Sequence, residues 1–278
     1  MFHRRKEMEA FSSLLERLLN GERLQASVSY KDDLPSKVMH QVIRLSETIY
    51  GKEEQLKKER DEIREMIAQT AHQMRHPLAN MESYLELLSI AETEEERQRY
   101  LAVLKETECR LHFLTESFIK MARLEHKVIQ IRPDAVSLSE TILQSILQAK
   151  KAADAKNIFI DFSMGKERPV PHDPNWLGEA IFYLLETSVK YSPVDSAIQV
   201  AVLYNEMYAR ISVSDSGIGI REGEESKIFQ RFYRGKETDG QPGFGLGLYL
   251  TREIVLLHGG FVKARRKRQG MEISIFLP

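Results

Sequence analysis

Val213-Ser214-Asp215-Ser216-Gly217-Ile218-Gly219-Ile220 is the stretch on which the fold of this chain turns. It begins as an apolar strand and ends in a carboxylate followed by two glycines. A carboxylate at a strand end can accept a hydrogen bond from an adenine amino group, and glycines beside it let a ligand lie against the backbone. Working outward, Ile198 to Tyr204 and Tyr208 to Asp215 read as two strands, preceded by a helix from Pro174 to about Val189. A strand over Ile158–Phe162 and a helix from Leu138 to Ala152 lie further upstream, and a helix near Tyr249 to Leu257 and two closing strands lie downstream. Strands joined mainly as hairpins, with helices on one face, predict an α+β sandwich.

Two further stretches belong with the first. Gly243-Phe244-Gly245-Leu246-Gly247-Leu248 opens a helix, where backbone N–H groups face phosphate oxygens and the helix dipole favours negative charge. Tyr183-Leu184-Leu185-Glu186-Thr187-Ser188-Val189-Lys190-Tyr191-Ser192-Pro193 is a helix ending in a cation and an aromatic ring. The glycine intervals and the antiparallel strand pattern do not fit a Rossmann dinucleotide site. A Walker A loop needs Gly-Lys-Ser/Thr after its glycines, and Leu248 and Tyr249 follow here instead.

The first half of the chain is helical. Residues 7 to 20 carry Met8, Phe11, Leu14, Leu15, Leu18 and Leu19 on one side and stop at Asn20-Gly21. After a polar stretch through Lys31-Asp32-Asp33 and Pro35, the pattern resumes at Val38, and from Leu45 to about Ala91 it reads as one long coiled-coil-like helix that Pro77 should bend. Within it Met66, Ile67, Ala71, Met74, Leu78, Met81, Leu85 and Leu88 form an apolar stripe. A helix advances about 100° per residue, so His72 falls off that stripe with Ala68, Arg75 and His76 and points to solvent. Thr93 caps a second helix whose seam is Leu104, Thr107, Leu111, Leu114, Phe118 and Met121. Two antiparallel helices of this kind cannot bury both seams alone. A dimer closing a four-helix bundle is the expected solution, and packing against the chain's own second half is the other.

The chain has 278 residues, 29% charged and 42% hydrophobic, with a formal net charge of −1. That balance fits a folded protein and gives no global attraction to nucleic acid or anionic lipid. Cys109 is the sole cysteine, which excludes an internal disulfide and suits a reducing compartment. No apolar run approaches the roughly 18 residues of a membrane span, so a cytoplasmic location is expected. Arg4, Arg5 and Lys6 read either as a solvated terminus or as the basic flank of a membrane tether outside this chain.

Taken together, the order and spacing resemble the sensor histidine kinases of two-component signalling, from about residue 45 to Pro278. His72 with Pro77 is similar to the family's H box, Lys190-Tyr191-Ser192-Pro193 to the end of its N box, and Asp215-Ser216-Gly217-Ile218-Gly219 to its G1 box. Ile228-Phe229-Gln230-Arg231-Phe232-Tyr233-Arg234 resembles the F box and Gly243 to Leu248 the G2 box. The resemblance implies an all-α dimeric four-helix bundle, two long helices per chain, followed by an α+β sandwich ATP-binding domain shared with Hsp90 and MutL. It implies residues 1–44 as a helical signalling linker, 45–131 as the dimerisation and phosphotransfer domain and 132–278 as the catalytic domain. The γ-phosphoryl group of ATP would pass to His72, oriented by Gln73, and then to an aspartate of a response regulator. Thr187, Lys190, Tyr191, Asp215, Gly217, Gly219, Arg231, Gly243, Gly245 and Gly247 would hold ATP, with Thr187 toward Mg²⁺.

Four positions depart from the family pattern. Gln73 stands where an acid usually orients the imidazole and accepts its proton, and an amide cannot act as a base near neutral pH. His76 stands where Thr or Asn positions water for dephosphorylating the regulator. Tyr183 and Thr187 replace the two N-box asparagines, and threonine offers Mg²⁺ one neutral oxygen. A nucleotide-binding signalling scaffold with weak or no transfer is therefore the alternative function. His72 and His76 have the spacing of a zinc pair without the glutamate of a zincin. The run Lys263, Arg265, Arg266, Lys267, Arg268 before Gln269-Gly270 reads as a solvated hairpin rather than a nucleic-acid patch.

Overall fold

The computed structural model describes residues 34–125, 129–134, 136–166, 168–235 and 243–278, with residues 9, 12, 13 and 15–20. Met8, Phe11 and Leu14 of the expected first helix, the polar stretch over residues 31–33 and His126 lie outside the described residues. The chain divides into two compact units at Ala71 and His72.

The first unit is carried by the N-terminal part of helix α1, Leu34–Ser89. It is a surface of charges at helical spacing, with Gln55 donating to Glu59 at 2.9 Å and Lys58 facing Glu62 at 3.9 Å. The helix is continuous from Leu34, so the expected boundary at residues 44 and 45 falls inside it. It also runs on through Pro77 to Ser89.

The second unit begins with the remainder of α1, which turns into α2, Glu94–Glu125. Thr93 caps α2 as expected. The Glu96 N–H donates to Thr93 Oγ1 at 3.2 Å and Glu96 Oε2 accepts from the Thr93 N–H at 3.4 Å, a reciprocal capping box. Leu104, Thr107, Leu114 and Met121 of the expected seam are buried, but in the last turns Ser117 and Leu124 replace Phe118. The seam shifts there because this end of α2 packs against the helix Gly247–Leu257 of the following domain.

That domain comprises α3 (Leu138–Asp154), β1 (Phe159–Met164), α4 (Pro174–Tyr191), β2 (Ala197–Tyr204), β3 (Ala209–Ser214), α5 (Gly247–Leu257), β4 (Phe261–Arg266) and β5 (Met271–Leu277). The strand order is β1-β2-β3-β5-β4. All neighbours are antiparallel except β1 and β2, which are parallel. The antiparallel expectation is corrected at that pair because α4 lies between the two strands in sequence, and such a crossover returns the chain in the same direction. In register, Val200 faces Val213 and Val202 faces Ile211, and these in turn face Ile273 and Ile275, so one side of the sheet is apolar. Leu177, Ile181, Leu184 and Leu185 of α4 and Leu250 and Ile254 of α5 complete the core. Fully burying each such chain contributes roughly 1.5–3 kcal/mol. The opposite side carries polar residues and a cluster in which Phe261 stacks on Phe276 with centroids 4.6 Å apart.

Polar caps place the helices that face the site. Asp173, 6% exposed, accepts from the Asn175 and Trp176 N–H groups at 3.1 and 3.2 Å, with Pro174 opening α4. At the other end of α4, Lys156 Nζ donates to the carbonyls of Val189, Lys190 and Ser192 at 2.9, 2.7 and 3.1 Å. A cation there also suits the negative end of the helix dipole.

Candidate functional site

The last turns of α4, the loop after β3 and the glycine-rich entry to α5 enclose a cavity of about 770 Å³, which Glu106, Arg110 and Phe113 of α2 flank. Its polar floor is Asp215, 3% exposed. The loop that follows β3 folds back on this carboxylate. The Gly217 N–H donates to Oδ1 at 2.9 Å, the Met271 N–H donates to Oδ1 at 3.3 Å and Ser188 Oγ donates to Oδ2 at 3.3 Å. Burial pushes the Asp215 pKa above the ordinary carboxylate value, while these three donors and the Lys267 charge oppose the shift. The result is a fixed acceptor at the bottom of a mostly apolar pocket, suited to one amino group of a flat heterocycle.

Gly270 makes this arrangement possible. It sits at φ +74°, and a Cβ there would overlap the Asp215 carbonyl oxygen and come within 2.7 Å of Oδ1. Gly245, at φ +70°, approaches Tyr233 and Phe232 in the same way, with a Cβ only 2.6 Å from the Tyr233 carbonyl oxygen. That contact fixes the segment from which Gly247 starts α5, whose first-turn N–H groups have no helical partner and whose Gly247 and Leu248 line the cavity. Lys190 reaches Gly243 and stands 4.6 Å over the Tyr191 ring, placing its ammonium at the same mouth.

Thr187, Lys190, Tyr191, Asp215, Gly219, Gly243, Gly245 and Gly247 all line the one cavity, and Gly217 adjoins it through Asp215. Thr187 Oγ1 donates to the Tyr183 carbonyl at 2.8 Å, which leaves its oxygen lone pairs as acceptors. Arg231, expected beside the nucleotide, stands apart from these residues. It does not line the cavity but pairs with Glu125 of α2 at 2.7 Å, both side chains 24% exposed, and Tyr249 donates to the same carboxylate at 2.9 Å. A half-buried carboxylate at the end of α2 is a better partner for this guanidinium than the open pocket. Tyr183 turns the same way. Its ring meets Phe113 edge-on at 6.4 Å and its hydroxyl donates to Glu179 at 3.1 Å, which in turn pairs with Lys120. Burial and Glu179 hold the Tyr183 pKa well above its usual value.

Four residues of the site escaped the sequence reading. Ser188 and Gly270 hold Asp215, and Lys156 closes α4. Glu186 lines the cavity with its carboxyl pKa raised by burial and lowered in turn by Lys190. Only Glu186 had a visible signal, its i,i+4 spacing to Lys190. Cys109 is exposed and flanks the cavity.

His72 and Gln73 lie on α1 and do not line the cavity. His72 is exposed with Arg75 and His76, as the stripe required, and Gln73 is half-buried. The His72 and His76 rings meet edge-on with centroids 5.2 Å apart. Among the described residues no group of three or more His, Cys, Asp or Glu is arranged to hold a metal, so the zinc pair finds no third ligand. Of the basic run, Arg265 pairs with Glu272 at 3.1 Å and Lys267 donates to Ser214 at 2.6 Å, and its first members lie on β4 rather than in the turn. No helix among the described residues is long and apolar enough to cross a membrane.

Comparison with known proteins agrees with this geometry. Residues 62–127 match the His Kinase A (phospho-acceptor) domain and residues 172–278 match the histidine kinase-, DNA gyrase B- and HSP90-like ATPase domain. The sensor protein kinase WalK of Staphylococcus aureus is 30% identical over 233 residues, 81% of this chain and 38% of that relative. The chain spans between 38% and 55% of the length of the curated relatives it matches. Among solved structures, the histidine kinase ThkA in complex with the response regulator TrrA has a TM-score of 0.66 at 19% identity, covering 82% of this chain and 65% of that one. ShkA in complex with AMPPNP has a TM-score of 0.58 at 20% identity, covering 77% of this chain and 45% of that one. The chain belongs to the sensor histidine kinases, with the phospho-acceptor helices of that family followed by its ATP-binding domain.

Proposed function

We propose that the chain, as a homodimer in the cytoplasm, transfers the γ-phosphoryl group of ATP to His72 and then to an aspartate of a response regulator. The observation that carries this reading is the pairing of a buried, donor-held Asp215 in a glycine-walled cavity with an exposed His72 on a long helix. Asp215 would accept the adenine amino group and Lys190 would meet the phosphates, with the N–H groups at the start of α5 beside it. His72 would attack in line, because phosphoryl transfer asks the protein mainly for positioning and charge stabilisation. Thr187 and Glu186 are both oxygen donors in the cavity and fit Mg²⁺, which prefers such ligands and keeps several waters. Bound there, the ion would neutralise charge on the phosphates. Dimerisation is supported by exposed apolar residues of α1, Leu45, Ile49, Leu56, Ile67, Leu78 and Leu85, which a four-helix bundle would cover. ThkA was solved with a response regulator and ShkA with AMPPNP, which supports the same partner and ligand class here.

The second reading, a nucleotide-binding scaffold without transfer, is favoured by Tyr183, whose side chain is committed to Phe113 and Glu179 instead of the cavity. Incubation with radiolabelled ATP and Mg²⁺, wild type beside His72→Ala, decides between them. Label on wild type alone supports the kinase. Nucleotide binding by calorimetry with no label on either leaves the scaffold.

A further inference from the structure

His76 is an unused imidazole in this reading, and its surroundings give it a task. Attack by His72 Nε2 puts positive charge on the ring, and the proton on Nδ1 must leave for the product to be neutral at that nitrogen. Gln73, the adjacent residue, has an amide that cannot take it. No Asp or Glu occurs anywhere from Gln69 to Met81, so α1 offers no carboxylate within a turn of His72 on either side. Arg75, the charged neighbour on the exposed face, is permanently protonated. His76, one turn along the same face, is exposed and stands edge-on to His72 with ring centroids 5.2 Å apart. At that separation two imidazoles turned nitrogen to nitrogen come within hydrogen-bond reach, about 3 Å. The turn involves only the last, softly hindered torsion of each side chain.

We propose that His76 is the proton acceptor for phosphorylation of His72, a role that rests on the kinase reading above. The Nε2 lone pair of His72 forms the N–P bond as the bond from the γ-phosphorus to the β,γ-bridging oxygen breaks, and ADP leaves with that electron pair. The Nδ1 proton passes to a ring nitrogen of His76 and from there to water. An imidazole suits this role because its neutral ring carries one nitrogen lone pair that can take a proton, and histidine is the side chain most often used for such transfer. His76 stands where the family pattern has Thr or Asn, so the imidazole at that position supplies the base that Gln73 lacks.

The test compares label incorporation from ATP in wild type, His76→Ala, His76→Gln and the double variant Gln73→Glu with His76→Ala. Because His76 is exposed, both single variants are expected to fold and to keep nucleotide affinity, which calorimetry checks. Both should be labelled about 100-fold more slowly or worse, the low end of general-base effects. Gln73→Glu should restore the rate in the His76→Ala background, and added free imidazole should restore it partly. A wild-type rate in His76→Ala overturns the proposal, as does recovery in His76→Gln, because glutamine can orient a ring but cannot take its proton. Phosphoramidate, which phosphorylates histidine without the ATP cavity, separates this proposal from the kinase reading. If ATP gives no label on wild type, the kinase reading fails. A slower reaction of His72 with phosphoramidate in His76→Ala then still supports the proton acceptor, and an equal rate overturns it.

Discussion

Substituting Gly270 by alanine tests whether the shape of the nucleotide cavity depends on a residue outside it in sequence. Two costs can be read from the structure. At φ +74° an alanine is in the left-handed region, which disfavours a Cβ by about 1–2 kcal/mol. The added carbon would also overlap the Asp215 carbonyl oxygen and lie 2.6 Å from the carbonyl carbon and 2.7 Å from Oδ1. Carbon contacts relax near 3.5–4.0 Å, so Asp215 or the β4–β5 turn must move by about 1 Å. A shift of that size breaks the 3.3 Å bond from the Met271 N–H to the Asp215 carboxylate, and bonds to charged groups contribute about 1.5–3 kcal/mol. Gly270→Ala is therefore expected to lose about 2.5–5 kcal/mol of stability, a large part of the 5–15 kcal/mol of an ordinary domain. Binding of adenine nucleotide should weaken about 10- to 150-fold if the same carboxylate moves away from the adenine amino group. Urea titration and binding of a fluorescent ATP analogue, at a temperature where the variant is folded, measure the two effects. Gly165→Ala, whose Cβ would meet nothing within 4 Å, is the control. A stability loss under about 1 kcal/mol together with affinity within twofold of wild type would refute this account of the cavity floor.

Three other expectations rest on separate parts of the molecule. Gly51 lies inside α1 with open space where a Cβ would stand, so Gly51→Ala should stabilise by about 0.5–1 kcal/mol, seen as a raised thermal midpoint; a lower midpoint contradicts it. Lys156→Met removes three charge-assisted bonds to the end of α4 and should cost about 2 kcal/mol in urea unfolding, with weaker nucleotide binding because Lys190 and Tyr191 lose their anchor. Burial raises the Glu186 pKa, so its contribution to stability is fully present below the ordinary carboxylate value of about 4.3 and is lost as pH rises through the raised value. Glu186→Gln should therefore gain on wild type as pH climbs from the acid range toward neutrality. Parallel pH profiles of unfolding for the two proteins would count against it.

The local signals of this chain are strong where chemistry is written into consecutive residues. The glycine pattern, the buried strand alternation, the Thr93 cap and the position of His72 off its stripe each depend on neighbours within a few residues, and each stands where the spacing placed it. The parallel pairing of β1 with β2, by contrast, depends on where α4 sends the chain, and strand pattern alone does not carry direction. Arg231 and Tyr183 belong to boxes associated with nucleotide, yet the first pairs with Glu125 and the second packs on Phe113, partners 106 residues away for Arg231. Gly270 looked like a turn residue and proved to be the neighbour of Asp215, 55 positions earlier by their numbers in the chain. Sequence by itself determined the helices, the strands, the glycine loops and the exposed imidazole, because backbone propensity and amphipathic period act over a few residues. Tertiary structure alone decided which charged and aromatic side chains turn into the cavity and which turn away, because those choices depend on partners that only folding brings within a few ångströms.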